Sequence, residues 1–178
     1  MSARPDPFRP AMPERAPAPG RRLARMLEGP EATDRLGARL GTALAAGDVV
    51  ALEGGLGAGK SALARAAIRA RLGDPALEVP SPTYTLVNVY DDPAGGAPVW
   101  HADLYRLAGL DEVAELGLDE AFATAVTLIE WPGRVAPILP PRRLTLALEI
   151  AGDTRRHLAA RMDGPGWEAV AMALEATP

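Results

Sequence analysis

The sequence predicts an α/β domain in which helices cover both faces of a mainly parallel central sheet, giving three layers. Strand-like segments alternate with helix-like segments along the chain. The apolar run Val49–Leu52 is continuous instead of alternating, as in a parallel strand that is covered on both faces. The length of 178 residues fits one domain. We therefore expect a domain over residues 26–178 and a leader over residues 1–25.

The expected leader is rich in proline, alanine and arginine and shows no helix or strand periodicity, so we expect it to be disordered. Its six arginines against Asp6 and Glu14 give it a net charge of +4, which leaves −8 on the remainder. An acidic body is a poor binder of nucleic acid on its own, because basic side chains dominate such binding. Neither a membrane-spanning stretch nor a signal-peptide core is evident, and a cytoplasmic location is expected.

The elements of the domain are predicted from hydrophobic spacing and from stop signals. Leucines at four-residue spacing predict an amphipathic helix from Pro30 onward, followed by strand Asp48–Glu53 and helix Ser61–Leu72. Residues 155–162 fit either a strand or a helix, and so do residues 166–176. The further strand-like segments are 84–90, 99–104, 126–130 and 144–150, and the further helix-like segment is 110–123.

Residues 54–61 read Gly-Gly-Leu-Gly-Ala-Gly-Lys-Ser and match the phosphate-loop pattern G-x-x-x-x-G-K-[ST]. A buried strand leads in and a helix leads out, so backbone N–H groups and the helix N-terminus can surround phosphate oxygens. Lys60 would contact the β- and γ-phosphates, and the Ser61 hydroxyl would ligate Mg²⁺. These features predict a domain that is similar to the P-loop NTPases.

Lys60 is also the single lysine among 19 basic residues. Arginine replaces lysine readily on solvated surfaces, but its planar fork cannot replace a compact ammonium inside a tight loop. A guanine-reading N-K-x-D motif would need a second lysine. The sequence therefore favours ATP over GTP as the nucleotide.

Two predicted strands end in a carboxylate that could serve Mg²⁺, because ligands of parallel sheets lie outside the carboxyl ends of the strands. Glu130 follows the cleaner apolar run, so we expect it to be the Mg²⁺-associated acid. Asp103 would hold metal-bound water or orient the attacking water. A purely structural role remains open for both.

Other polar residues near these acids have weaker signals. Ser81 and Thr83 lie in a loop that enters a strand and could respond to a γ-phosphate, although a plain turn is an equal alternative. His101 is expected to be packed or hydrogen-bonded, and a catalytic role is the less favoured alternative. Because the chain has no cysteine and two histidines, any metal site should be built from oxygen ligands.

Three motifs follow the phosphate loop in order: S-P-T-Y-T-L-V at 81–87, H-A-D-L-Y-R at 101–106 and I-E-W-P at 129–132. With these motifs the sequence resembles the TsaE (YjeE) family, P-loop ATPases of bacterial tRNA threonylcarbamoyladenosine biosynthesis. The resemblance runs from about residue 30 to residue 150. It implies Mg²⁺-dependent ATP hydrolysis and two partner proteins, TsaB and TsaD, which install the threonylcarbamoyl group. It also implies that hydrolysis resets the TsaB–TsaD assembly and that tRNA is reached only through the complex.

The resemblance further implies roles for individual residues. Ser61 and Glu130 match the metal positions, and Asp103 matches the acid of H-x-D-L-Y-R; with Lys60, these two acids are the expected catalytic residues. Gly55 stands where the family usually has Asp, and Ser61 where it often has Thr. The expected nucleotide contacts are Gly54, Leu56, Gly57, Ala58, Gly59, Lys60, Ser61, Thr83, Asp103, Trp131, Pro132, Gly133 and Arg155.

Two other functions stay open on the sequence. Many compact P-loop domains transfer the γ-phosphate to a hydroxyl, so a small-molecule kinase is one alternative, although no arginine-rich lid is evident. The other is a nucleotide-sensing module that regulates a partner without meaningful turnover.

Overall fold

The computed structural model describes residues 20–107 and 109–176, which form four α-helices and seven strands. Two 3-10 helices, Leu110–Leu116 and Pro132–Ile138, follow strands β4 and β5. The elements in chain order are β1 Arg21–Glu28, α1 Pro30–Ala43, β2 Val49–Glu53, α2 Lys60–Leu72, β3 Val87–Tyr90, β4 Val99–Asp103, α3 Leu118–Thr124, β5 Val126–Glu130, β6 Arg143–Ile150, β7 Arg155–Asp163 and α4 Glu168–Glu175.

The seven strands form one sheet in the order β1-β7-β6-β2-β5-β4-β3. The four central strands β6, β2, β5 and β4 are parallel to one another, and β3, β7 and β1 add antiparallel edges. Parallel neighbours need crossover connections, which places helical segments against the faces of the sheet. The predicted α/β class with a mainly parallel centre is confirmed.

Each face of the sheet has its own hydrophobic core. Helices α1, α2 and α4 cover one face, where Leu36, Leu63 and Leu174 are fully buried with the inward side chains of the strands. On the other face, α3 and the two 3-10 helices bury Leu118 and Val135 against β2, β4 and β5. The three-layer arrangement predicted from the sequence is therefore also confirmed.

Strand β1 corrects the predicted extent of the leader. Residues 21–25 were expected to be disordered, but they belong to β1, which pairs with β7 along its whole length. The side chain of Arg25 reaches the C-terminal end of α4, where its Nη1 donates to the carbonyl oxygens of Leu174 at 2.7 Å and Ala176 at 3.0 Å. The rest of the predicted leader, residues 1–19, lies outside the described residues.

Other boundaries differ from the prediction for local backbone reasons. The strand expected at 84–90 begins at Val87, because the preceding residues form a turn in which Leu86 has φ 63°. The helix expected at 110–123 is divided at Gly117, which has φ 68°. The two ambiguous C-terminal segments are the strand β7 and the helix α4. None of the helices in the described part of the chain has the length and apolar character needed to cross a membrane.

The carboxyl ends of β2, β5 and β4 meet at one edge of the sheet. Leu52 of β2 lies beside Glu130 of β5, and Glu130 lies beside Asp103 of β4. The loop that joins β2 to α2 begins at the same edge. The sheet therefore brings both predicted acids next to the phosphate loop.

Candidate functional site

The phosphate loop joins strand β2 directly to the first turn of α2. Gly54 begins the loop with φ 137°, and a Cβ at this position would lie 2.3 Å from the carbonyl oxygen of Leu148. Gly59 ends it with φ 105°, and its carbonyl accepts the first helical hydrogen bond, from Leu63 N at 3.0 Å. Left-handed backbone and close packing at Gly54 explain why this strand-to-helix turn needs glycine. The N-terminal N–H groups of α2 therefore open onto the carboxyl edge of the sheet.

Lys60 lies over the loop with its side chain almost completely buried. Its Nζ donates to the carbonyl oxygens of Gly54 and Gly55, both at 2.8 Å. The same ammonium sits 4.0 Å from the centre of the Trp131 ring. Burial lowers the pKa of Lys60, and the negative charges of Glu130 and Asp103 act in the opposite direction. The cation is thus held between loop carbonyls, an aromatic face and two acids.

Trp131 reaches this position through an unusual backbone conformation. It follows β5 directly and has φ 60° and ψ 47°, a left-handed conformation that is uncommon for a bulky residue. The turn places the indole beside Tyr105, with ring centroids 4.9 Å apart. Strained backbone of this kind is often found where function fixes a side chain, and here it sets the indole against Lys60.

Glu130 connects the phosphate loop with the interior of the sheet. It is 2% exposed. Its Oε2 accepts a hydrogen bond from the Ser61 hydroxyl at 2.8 Å, and its Oε1 contacts His101 Nε2 at 2.9 Å. Both predicted metal-associated residues are therefore in direct contact, although they are 69 positions apart in the chain.

Asp103 has a separate set of donors. Its Oδ2 accepts from the hydroxyls of Ser81 at 3.0 Å and Thr83 at 2.9 Å, and its Oδ1 accepts from Tyr105 N at 3.1 Å. The two hydroxyls belong to the loop that precedes β3. Asp103 thus holds this loop, and Glu130 holds the phosphate loop.

These groups border a cleft of about 510 Å³. Of the predicted positions, it brings together Leu56, Gly57, Gly59, Lys60, Ser61, Thr83, Asp103, Glu130 and Trp131. It also contains Ser81, which the sequence analysis named together with Thr83, and the structure adds Ala62, Tyr105 and Arg106 to the lining. A second cavity of about 300 Å³ lies beyond Trp131 and is lined by Glu53, Gly54, Trp131, Pro132, Gly133 and Arg134. The predicted Trp131–Gly133 segment therefore separates two adjoining spaces.

Two predicted positions are placed differently from the rest. Ala58 is buried in the hydrophobic core and faces away from the cleft. Arg155 lines neither cavity. Its neighbour Arg156 contacts the loop instead, donating from Nε to the Ala58 carbonyl at 3.1 Å and from Nη2 to the Gly57 carbonyl at 3.2 Å. Because adjacent side chains of a strand point to opposite faces, knowing the strand's orientation would have identified Arg156.

The available donors suit Mg²⁺. Ser61 and Glu130 offer a hydroxyl and a carboxylate oxygen at the edge of the phosphate loop. Within the described ranges there is no group of three or more His, Cys, Asp or Glu side chains that could enclose a metal ion. Mg²⁺ at nucleotide sites usually takes one or two protein oxygens and completes its shell with water and phosphate, so the sparse set of ligands fits.

Comparison with known proteins agrees with this geometry. The model of the family described as threonylcarbamoyl adenosine biosynthesis protein TsaE matches residues 27–158. The chain belongs to the TsaE family. The TsaE protein of Treponema pallidum is 38% identical over 127 residues, covering 71% of this chain and 90% of the relative. The TsaE protein of Streptomyces coelicolor is 39% identical over 137 residues, covering 74% and 91%. Both are named as tRNA threonylcarbamoyladenosine biosynthesis proteins.

A solved structure supports the same membership. The crystal structure of Bacillus subtilis YdiB superposes with a TM-score of 0.67 at 31% sequence identity. The superposition covers 87% of this chain and 95% of YdiB. The resemblance predicted from the four sequence motifs is therefore confirmed at the level of both sequence and fold.

Proposed function

We propose that this TsaE-family protein is an Mg²⁺-dependent ATPase that serves the threonylcarbamoyladenosine modification of tRNA. The direct contact between the Ser61 hydroxyl and Glu130 Oε2, at the mouth of the phosphate loop, carries the proposal. It places a hydroxyl and a carboxylate oxygen together where P-loop NTPases hold the metal. The relatives named above supply the biological process.

Each group in the cleft has a proposed task. Lys60 exchanges its bonds to the Gly54 and Gly55 carbonyls for the β- and γ-phosphates. Ser61 and Glu130 would hold Mg²⁺, and the ion would supply positive charge to the phosphate oxygens. Asp103 keeps Ser81 and Thr83 beside the position of the γ-phosphate or orients the attacking water.

Trp131 lies at the boundary between two cavities. Its ring borders both the phosphate cleft and the adjoining cavity that contains Pro132 and Gly133. We propose that the adenosine part of ATP occupies this boundary. A flat indole offers a surface on which an adenine ring can stack.

Exposed side chains around the mouth of the cleft support the proposal that a partner protein binds there and responds to the nucleotide. Leu56 is 81% exposed, Tyr84 83% and Tyr105 46%, and all three lie at or near the mouth. Arg106 stacks on Tyr84, with its guanidinium carbon 4.7 Å from the ring centre. Exposed aromatic and aliphatic groups beside arginine are typical of protein interfaces. We therefore propose that TsaB and TsaD contact this rim and that tRNA is reached only through them.

The test is ATP hydrolysis by the purified protein, with and without TsaB and TsaD, for the wild type and Lys60→Ala. We expect stimulation by the partners in the wild type and loss of hydrolysis in Lys60→Ala, because the loop then lacks its phosphate-binding cation. Arg35→Ala is the matched control, since it removes one positive charge from an exposed position on α1. Unchanged hydrolysis in Lys60→Ala would contradict the proposal.

Two further measurements separate the kinase and the nucleotide sensor from the ATPase. A phosphorylated small molecule formed from a metabolite mixture would support a kinase. Repeated modification cycles sustained by nucleotide exchange, with hydrolysis dispensable, would support a nucleotide sensor. Release of inorganic phosphate that rises with TsaB and TsaD supports the ATPase and argues against both.

A further inference from the structure

We propose that His101 is a positioning residue that fixes the carboxylate of Glu130 for Mg²⁺ binding. The inference rests on the proposed Mg²⁺-dependent function and adds a residue to it. His101 is 1% exposed, and it lies on β4, the strand next to Glu130. It contacts Oε1 of Glu130, whereas Ser61 of the phosphate loop contacts Oε2.

The two hydrogen bonds of Glu130 use different oxygens of its carboxylate. His101 Nε2 lies 2.9 Å from Oε1, and Ser61 Oγ lies 2.8 Å from Oε2. A carboxylate that binds a metal ion accepts hydrogen bonds only, so we assign to His101 the tautomer that carries the proton on Nε2. With Oε1 engaged in this way, the carboxylate cannot rotate without breaking a buried hydrogen bond. Oε2 is thereby kept on the side of the phosphate loop.

The register of the two strands produces this geometry. Asp103 lies directly beside Glu130, while His101 lies beside Leu128, two residues further back along the parallel pair. The imidazole is long enough to span this offset, so that Nε2 reaches Oε1 of Glu130. Because His101 and Asp103 alternate with Ala102, both project from the same face of β4.

The second ring nitrogen of His101, Nδ1, indicates that the contact of Nε2 with Glu130 is what favours histidine at this position. Nδ1 is buried and has no hydrogen-bond partner among the described residues. An unpaired buried nitrogen is unfavourable, and an apolar side chain would fill the same space without it. A purely packing role therefore does not account for the ring, whereas a donor to Glu130 does. Residues that orient metal-associated groups commonly act through one such hydrogen bond.

The test compares His101→Gln with His101→Asn. The Gln amide can reach the position of Nε2, whereas the shorter Asn amide falls near Nδ1 and leaves Oε1 without its donor. The measurement is ADP binding by calorimetry at increasing Mg²⁺, together with binding in the absence of the metal. We expect His101→Asn to need about tenfold more Mg²⁺ for half of the full effect, with metal-free binding unchanged. His101→Gln should stay close to the wild type.

Thr127→Val is the control for altering a buried polar side chain on the neighbouring strand, since Thr127 is fully buried in β5 and lies outside the cleft lining. It should leave the Mg²⁺ dependence unchanged. Equal Mg²⁺ dependence in the Asn variant and the wild type, or equal losses in Asn and Gln, would overturn the role of His101. If the ADP affinity of the wild type did not depend on the Mg²⁺ concentration, the result would instead count against the proposed function itself.

Discussion

Glu130 and Asp103 are adjacent across two strands, yet among the described residues their hydrogen-bond donors are different. Glu130 is bound by Ser61 and His101, and Asp103 by the hydroxyls at 81 and 83. A movement of the loop before β3 can therefore change the environment of Asp103 and leave the Glu130 contacts in place. This separation suits one acid that stays with the metal and another that responds to the nucleotide.

Gly54 and Gly55 are neighbours with very different tolerance for a side chain. A Cβ at Gly54 would lie 2.3 Å from the Leu148 carbonyl, at φ 137°, whereas a Cβ at Gly55 would meet nothing within 4 Å. We expect Gly54→Ala to lower the free energy of unfolding by about 2 kcal/mol or more, and Gly55→Ala to change it by less than about 0.5 kcal/mol. Urea unfolding followed by circular dichroism measures both.

Equal unfolding midpoints in these two variants would show that the strand-to-loop junction is not constrained as described. The open space at Gly55 also bears on the family pattern, because the Cβ of any side chain there would meet nothing within 4 Å. Glycine at this position is therefore not required by packing.

The sequence was sufficient to predict the residues at the centre of the site, but not the arginine that contacts the phosphate loop from β7. Lys60 and Ser61 stand at fixed positions of a motif, and Glu130 follows a buried strand, so local signals indicated all three. The contact of Arg156 with the loop depends on which face of β7 each arginine occupies. The face that each arginine occupies is set by the pairing of β7 with β6 and β1, and no local pattern of residues 155–162 reveals this pairing.

Helices α1 and α2 approach each other closely at two glycines. A Cβ at Gly37 would lie 2.6 Å from the Leu63 carbonyl, and one at Gly41 would lie 2.0 Å from the Ala67 carbonyl. Alanine in place of glycine normally stabilises a helix by roughly 0.5–1 kcal/mol. At Gly41 we expect the opposite sign and a loss of about 2–3 kcal/mol, because the added methyl group must push α1 away from α2.

Thermal unfolding of Gly41→Ala checks this expectation, with Thr42→Ala as the control on the exposed side of the same helix. Thr42 is exposed and its hydroxyl donates to the Arg39 carbonyl within its own helix, so its loss should have little effect. A higher melting temperature for Gly41→Ala would mean that the two helices can separate freely and that intrinsic helix propensity dominates.

Elements with a clear hydrophobic pattern were predicted, and those defined by their partners were not. The buried strand β5 was predicted with its observed bounds, Val126–Glu130. β1 was missed because three of its eight residues are arginines, two exposed and one half-buried in this edge strand, and they resemble the preceding polar segment. The break at Gly117 was also missed, since residues 110–116 and 118–124 both have helix-forming composition and only the left-handed backbone at Gly117 separates them.

The two edges of the sheet have different tasks in the whole molecule. The carboxyl edge carries the cleft, and the amino edge carries a polar cluster around Arg142, which precedes β6. Arg142 Nη2 lies 2.8 Å from Asp48 Oδ1, next to the start of β2, and its guanidinium stacks on Trp167, which precedes α4, at 4.2 Å. Its Nε also donates to the Pro165 carbonyl at 2.9 Å. One side chain therefore joins three elements far from the phosphate loop.

Removing this side chain should lower stability and leave nucleotide binding unchanged. In Arg142→Ala the carboxylate of Asp48, which is 3% exposed, keeps the N–H of Ala45 but loses its cation. We expect a loss of about 2–3 kcal/mol in the free energy of unfolding, less than for a fully buried pair because the Arg142 side chain is 36% exposed. Glu175→Ala, which breaks the exposed pair with Arg21, should cost less than about 1 kcal/mol. Urea unfolding and ADP calorimetry on the same samples test both parts, and a weakened ADP affinity in folded Arg142→Ala would show that the two edges are coupled.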